Sequence, residues 1–281
     1  MQKIVHVEAT TLPDSWFQLV YNVLEHGRDF EIDQGSFAGS VRKEFDFIIV
    51  HIKRPWERNN ITGLPLIPEI PEHMDIPAPV TDDYLVGYAS YLLGSEVEKG
   101  ESYTYGQRIN KEPISRANAI KYRSEPDIYR NYDKEGNPSA QLEGIVFDAE
   151  KFLSQVDLAI EIYKEHSRTN QMVLQVAKPT DMLLIDPPCL RHIDTRIQDG
   201  KLHFYPYFRS WDLWSGYPAN LAGISMLQEH MADEIGVEQG EMICTSKGLH
   251  LYDYSVSFAE MRCMIKVNRK IYGHYKKRIQ N

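Results

Sequence analysis

Apolar positions along the chain fall into a few periodic runs. Over residues 14–26, Trp16, Leu19, Val20, Val23 and Leu24 recur at helical spacing, which predicts a helix with one buried face. Residues 1–7 read as a first strand, and 44–52, with Phe45, Phe47, Ile48, Ile49, Val50 and Ile52, as a buried one. Leu85, Tyr88, Leu92 and Leu93 predict a helix over 82–93. The stripe Phe152, Leu153, Val156, Ala159, Ile160 and Tyr163 predicts an amphipathic helix over 149–166, capped by Asp148. A short strand follows at 172–176. Runs at 193–197 and 202–209 flank Asp199-Gly200, a strong hairpin signal because both turn residues must tolerate positive φ. A helix over 218–235 is stopped by Gly236. Strands at 242–245 and 249–254 precede a basic helix carrying Lys266, Arg269, Lys270, Lys276, Lys277 and Arg278.

Two stretches break the pattern. Pro55, Pro65, Pro68, Pro71, Pro77 and Pro79 block helix and central strand, so this segment is an extended connection. Residues 124–141 are polar and tyrosine-rich and read as a long loop, a common place for function. The mixture predicts one α+β domain over 1–281 with a mainly antiparallel sheet.

Composition narrows the class. With 42% hydrophobic residues the chain can build a core. It has no apolar run of about eighteen residues and no apolar leader, so a soluble, cytoplasmic protein is expected. A net charge of −9 argues against nucleic acid and acidic membranes as partners. An anionic small substrate would need a local basic pocket. Cys189, Cys244 and Cys263 lack the spacing of a zinc site or disulfide framework.

Four segments between 186 and 254 carry candidate chemistry. Asp186-Pro187-Pro188-Cys189-Leu190 stiffens the backbone before a cysteine. Taken alone, that cysteine is a small core hydrophobe, as Cys244 and Cys263 are. Phe208-Arg209-Ser210-Trp211-Asp212 ends the hairpin. Its bland reading is a surface ion pair, and its functional reading an anion clamp built from a guanidinium fork and a hydroxyl. An arginine beside the cysteine would also favour thiolate. In Gly216-Tyr217-Pro218-Ala219-Asn220, the asparagine is either a first-turn residue or a carboxamide offering one donor and one acceptor. In Leu249-His250-Leu251-Tyr252, the histidine and tyrosine share a strand face.

Each signal is weak alone, but their order and separation resemble the signature of the thymidylate synthase family. Pro187-Pro188-Cys189-Leu190 and the run from Ser246 to Tyr254 are most similar to the archaeal and phage branches. Upstream, Tyr103-Thr104-Tyr105-Gly106-Gln107-Arg108 resembles the family's Tyr-Gly segment. The resemblance implies a bent, mostly antiparallel sheet covered by helices on one face, with two sheets stacked back to back in a homodimer. It implies that Cys189 attacks C6 of the uracil of dUMP. Arg209 and Ser210 would hold the phosphate, Asn220 would read O4 and N3–H, and His250 and Tyr252 would meet the sugar 3′-hydroxyl. Asp212 would face the pterin of 5,10-methylenetetrahydrofolate, or of a methanopterin analogue. Tyr105 would join the network that removes the C5 proton. Arg42 is the candidate phosphate arginine of the N-terminal loop, and Arg168 the one supplied by a second subunit.

Three positions depart from the family pattern. Leu190 replaces the histidine that follows the cysteine in bacterial enzymes. The helix over 82–93 has no glutamate where the family carries its catalytic carboxylate, leaving Asp82, Asp83 or Tyr88 as substitutes. The terminus Lys276-Lys277-Arg278-Ile279-Gln280-Asn281 is unlike the bacterial apolar tail. Three activities follow: reductive methylation of dUMP to dTMP, hydroxymethylation of dUMP or dCMP, and non-catalytic nucleotide binding.

Overall fold

The computed structural model describes residues 1–33, 37–99, 101–113, 131–132, 138–139 and 152–267. In chain order its elements are β1 (Ile4–Ala9), α1 (Leu12–His26), β2 (Arg28–Glu31), β3 (Val41–Glu44), β4 (Phe47–Ile52), α2 (Asp82–Leu93) and α3 (Tyr105–Asn110). Four two-residue strands follow: β5 (Glu112–Pro113), β6 (Asn131–Tyr132), β7 (Pro138–Ser139) and β8 (Phe152–Leu153). Then come α4 (Gln155–Glu165), β9 (Val173–Gln175), β10 (Leu190–Gln198), β11 (Lys201–Phe208), β12 (Trp211–Asp212) and α5 (Gly216–Ile235). The described chain closes with β13 (Glu238–Ser246), β14 (Leu249–Tyr252) and α6 (Asp253–Cys263).

The architecture is α+β. A six-stranded sheet runs in the order β1-β4-β13-β11-β10-β9, and a four-stranded sheet in the order β12-β14-β3-β2. Antiparallel pairings predominate, with β1/β4, β11/β13 and β12/β14 parallel. Alternate residues of the large sheet are fully buried: Ile48, Val50 and Ile52 on β4, Leu202, Phe204 and Phe208 on β11, Met242 and Cys244 on β13. These join one core with α1, α4 and α5. The opposite positions, among them Phe47, Ile49, Tyr205, Tyr207 and Ile243, are only half-buried.

Local chemistry explains the elements. Thr11 caps α1 by accepting from Asp14 N–H, and Pro13 sits in the first turn, where its missing N–H costs nothing. The Trp16 indole donates to the carbonyls of Leu213 and Trp214 at 3.0 and 3.2 Å, tying α1 to the entrance of α5. Helix α5 is apolar or small on nearly every side and is correspondingly buried. Gly236, at φ 81°, ends it in the left-handed conformation.

Several expectations shift. The predicted strand 44–52 is split, because β3 lies in the small sheet and β4 in the large one. Phe45 and Asp46 make the step between them, and Phe45 N–H bonds Leu249 O at 3.0 Å. The helix predicted from 149 starts at Gln155, with Ser154 as its cap; Asp148 lies outside the described residues. The strand predicted to 254 stops at Tyr252, where α6 takes over. Most of the predicted 124–141 loop, and the part beyond Val267 of the predicted basic helix, lie outside the described residues.

Candidate active site

The hairpin builds the centre of the site. Asp199 and Gly200 adopt φ of 53° and 75°, the two-residue turn expected of Asp-Gly. The turn sets a register that pairs Leu190 with Phe208. Cys189 just before β10 and Arg209 just after β11 therefore meet, and Arg209 N–H bonds Cys189 O at 2.8 Å. The Arg209 guanidinium then grips the cysteine loop: Nε donates to Pro188 O at 3.1 Å and Nη2 to Pro187 O at 2.5 Å.

Cys189, Arg209, Ser210, Arg42 and Tyr252 line one cavity of about 330 Å³. Arg42 pairs with the Glu44 carboxylate at 2.5 Å. Burial pushes the Glu44 carboxyl up, and Arg42 opposes it. Tyr252 stacks on Phe37 with ring centroids 4.4 Å apart. Burial pushes the Tyr252 phenol up to about 12, so it is a neutral hydrogen-bonding group.

The adjacent arginine does favour the Cys189 thiolate, but burial outweighs it. Burial pushes the thiol up, and Asp186 pushes the same way. Arg209, then Arg191 and Arg42, pull it down without overcoming burial. Charge removed from water is costly, and here that cost exceeds the attraction of the cations.

The small sheet aligns the next group. Its registers set Asp212 beside His250, His250 beside Glu44, and Tyr252 beside Arg42. His250 is 1% exposed, and its Nδ1 lies 2.8 Å from Gly248 O. A carbonyl can only accept, so Nδ1 carries the proton and Nε2 is an acceptor. Nε2 has no partner among the described residues. Burial pushes the imidazole down to about 4, which keeps it neutral. The Asp212 carboxylate accepts from the N–H groups of Trp214, Ser215 and Gly216 at 3.0–3.2 Å, at the start of α5. Burial raises its carboxyl, and these three bonds oppose the rise.

A second cavity, of about 630 Å³, is lined by Asn220, Tyr105, Tyr88, Tyr91, Asp83 and Glu101, among others. Asn220 sits one turn into α5. Its Oδ1 accepts from Trp211 Nε1 at 2.9 Å, and its Nδ2 donates to the Tyr88 hydroxyl at 2.6 Å. An indole can only donate, so Trp211 fixes which way the amide points. Tyr105 is set by its neighbour. A side chain on Gly106 would strike the carbonyls of Tyr91, Leu92 and Gly94, so bare glycine lets α3 sit flush on the end of α2. The Tyr105 hydroxyl then accepts from Leu190 N–H at 3.3 Å, beside Cys189. Leu190 itself is fully buried in the core, away from any water beside the cysteine.

Of the residues singled out by sequence, Asp212, His250 and Arg168 line neither cavity. Arg168 is exposed on the loop after α4. Asp82 is half-buried but not among the cavity residues, whereas Asp83 and Tyr88 are. Sequence reasoning missed Glu101 and Tyr91. The helical repeat Tyr84, Tyr88, Tyr91 was the available signal for the latter, and nothing local marked Glu101.

The geometry agrees with comparisons to known proteins. The family model described as Thymidylate synthase matches residues 102–274, more than half of the chain. A Methanosarcina mazei protein provisionally named thymidylate synthase is 28% identical over 258 residues, covering 90% of this chain and 92% of its own. Thymidylate synthase of Listeria monocytogenes is 30% identical over 174 residues, covering 58% of this chain and 55% of its own. The fold is similar to that of thermostable thymidylate synthase A from Bacillus subtilis, with a TM-score of 0.57 at 14% identity, over 92% of this chain and 86% of that one. With the family model matched over residues 102–274, a segment that contains the arginine-clamped cysteine loop, the chain belongs to the thymidylate synthase family.

Proposed function

We propose that the protein methylates dUMP reductively to dTMP, with 5,10-methylenetetrahydrofolate or a methanopterin analogue as carbon donor. The observation that carries this reading is the opening of Cys189 and the Arg209 clamp into one cavity with Arg42 and Ser210. Two guanidinium groups and a hydroxyl suit a phosphate dianion. Tyr252 lines that cavity and suits the sugar, and beside it His250 Nε2, without a partner among the described residues, is a neutral acceptor for a hydroxyl. Asn220 keeps one amide hydrogen and one Oδ1 lone pair beyond its bonds to Tyr88 and Trp211. That pair matches O4 and N3–H of uracil.

The chemistry needed of the protein is covalent. Cys189 adds to C6, which makes C5 nucleophilic toward a one-carbon unit. The thiol must first lose its proton against burial, a loss that Arg209 assists. Tyr105, neutral and bonded to Leu190 N–H, is positioned to relay the C5 proton through hydrogen bonds. The folate would supply the carbon and a hydride. The tyrosine-rich wall of the larger cavity suits its planar ring; Asp212 lies outside that lining, its carboxylate accepting three backbone N–H groups. A homodimer completes the reading. The half-buried sheet face with Phe47, Ile49, Tyr205, Tyr207 and Ile243 is self-complementary in type, and Arg168 would reach a partner's phosphate site.

One observation favours hydroxymethylation as the second reading. Asp83 and Glu101 are exposed at the larger cavity, where carboxylates can order an attacking water. Incubation of purified protein with dUMP and methylenetetrahydrofolate tests both. dTMP with dihydrofolate supports methylation, and a product one oxygen heavier supports hydroxymethylation. No product, and no C5 hydrogen release that Cys189→Ser abolishes, leaves only nucleotide binding.

A further inference from the structure

We infer that Tyr88 is a catalytic hydrogen-bond donor to the exocyclic oxygen at C4 of the bound pyrimidine, the role of an oxyanion hole. The inference rests on the nucleotide reading above. Its geometric basis is separate from the cysteine cavity. Asn220 Nδ2 donates to the Tyr88 oxygen at 2.6 Å, an orientation imposed by Trp211 on the other side of the amide. The phenol oxygen is thereby an acceptor, and its own hydrogen has no acceptor among the described residues. Both groups line the same cavity as Tyr105.

The position is built for a ring. A side chain on Gly223 of α5 would come within 2.7 Å of the Tyr88 ring carbons, so that glycine keeps the space open. Tyr84 and Tyr91 flank the ring in stacked geometry at centroid distances of 6.1 and 5.9 Å. The amide of Asn220 and the fit against Gly223 fix where the hydroxyl sits, and a preorganised donor needs no reorganisation as charge develops.

The electrons balance without a further reactant. The Cys189 sulfur forms a bond to C6, the C5–C6 π pair shifts to C4–C5, and the C4 carbonyl pair moves onto oxygen. Tyr88 O–H donates to that enolate oxygen and keeps its proton. Burial pushes the phenol well above its ordinary value, which favours donation over ionisation.

The test compares wild type, Tyr88→Phe and Cys189→Ser in three measurements: dUMP affinity by calorimetry, C5 tritium release from dUMP, and release from 4-thio-dUMP. Loss of one preorganised donor lowers rates by about a hundredfold. We expect Tyr88→Phe to bind dUMP within about threefold of wild type while its tritium release falls about a hundredfold. Sulfur at C4 is a poor acceptor, so wild type loses rate on 4-thio-dUMP whereas Tyr88→Phe shows little further loss. A merely structural role would leave the two proteins equally sensitive to sulfur. Wild-type release by Tyr88→Phe overturns the assignment and leaves the nucleotide reading standing. Failure of wild type itself to bind dUMP or release tritium overturns both.

Discussion

Replacing Arg209 by glutamine separates the two things its guanidinium does. It ties Pro187 and Pro188 through two carbonyl bonds, and it places a cation near the Cys189 sulfur. Glutamine can keep one carbonyl bond but carries no charge; lysine keeps the charge but cannot span both carbonyls. A charge-assisted bond is worth about 1.5–3 kcal/mol, and for this half-buried arginine about 1 kcal/mol is the fair figure after solvent screening. Each variant should therefore melt about 2–4 °C lower. The charge effect has a definite sign. Without the cation, burial and Asp186 act on the thiol with less opposition, so its pKa rises further. A loss of about 1 kcal/mol of attraction lowers the thiolate fraction about fivefold below the thiol pKa. The assay is iodoacetamide alkylation of Cys189 at pH 8 in a Cys263→Ser background, followed by peptide mass. Arg209→Gln should react about fivefold more slowly, and Arg209→Lys close to wild type. Equal slowing in both variants would refute the charge argument and leave only positioning; an unchanged Arg209→Gln would refute both.

Three further outcomes follow from the structure. Gly223→Ala should cost about 1–3 kcal/mol in denaturant unfolding, because its new methyl meets the Tyr88 ring at 2.7 Å; an unchanged midpoint would mean that the ring moves freely. His250, buried with its imidazole pushed down to about 4, stays neutral in the fold while the unfolded chain takes up a proton near pH 6.5. Stability is therefore lost as pH falls from about 6.5 to 4, by about 3 kcal/mol, and His250→Gln should flatten that slope in denaturation curves. Ile49→Asp should shift the sedimentation of the proposed homodimer toward monomer while leaving the helical circular dichroism intact, since Ile49 lies on the half-buried sheet face; wild type sedimenting as monomer, or an unchanged dimer in the variant, would remove this face from the proposal.

Much of this protein is local and was therefore open to reading from sequence alone. The stripe of α1, the Asp199-Gly200 hairpin, the Gly236 stop and the shared face of His250 and Tyr252 depend on periodicity or on turn residues, and the structure has them. The spacing of the cysteine, arginine and asparagine segments was legible too, because one hairpin and one helix entrance set it. Tertiary structure decided what depends on distant chain segments. It split the strand at Phe45 between two sheets, since pairing partners far away in sequence claim β3 and β4. It brought Tyr88 to Asn220, 132 positions apart, and Glu101 to the same cavity. It also decided that burial outweighs the cations at Cys189 and pushes its thiol up, because that balance is a property of packed surroundings, which no run of neighbouring residues encodes.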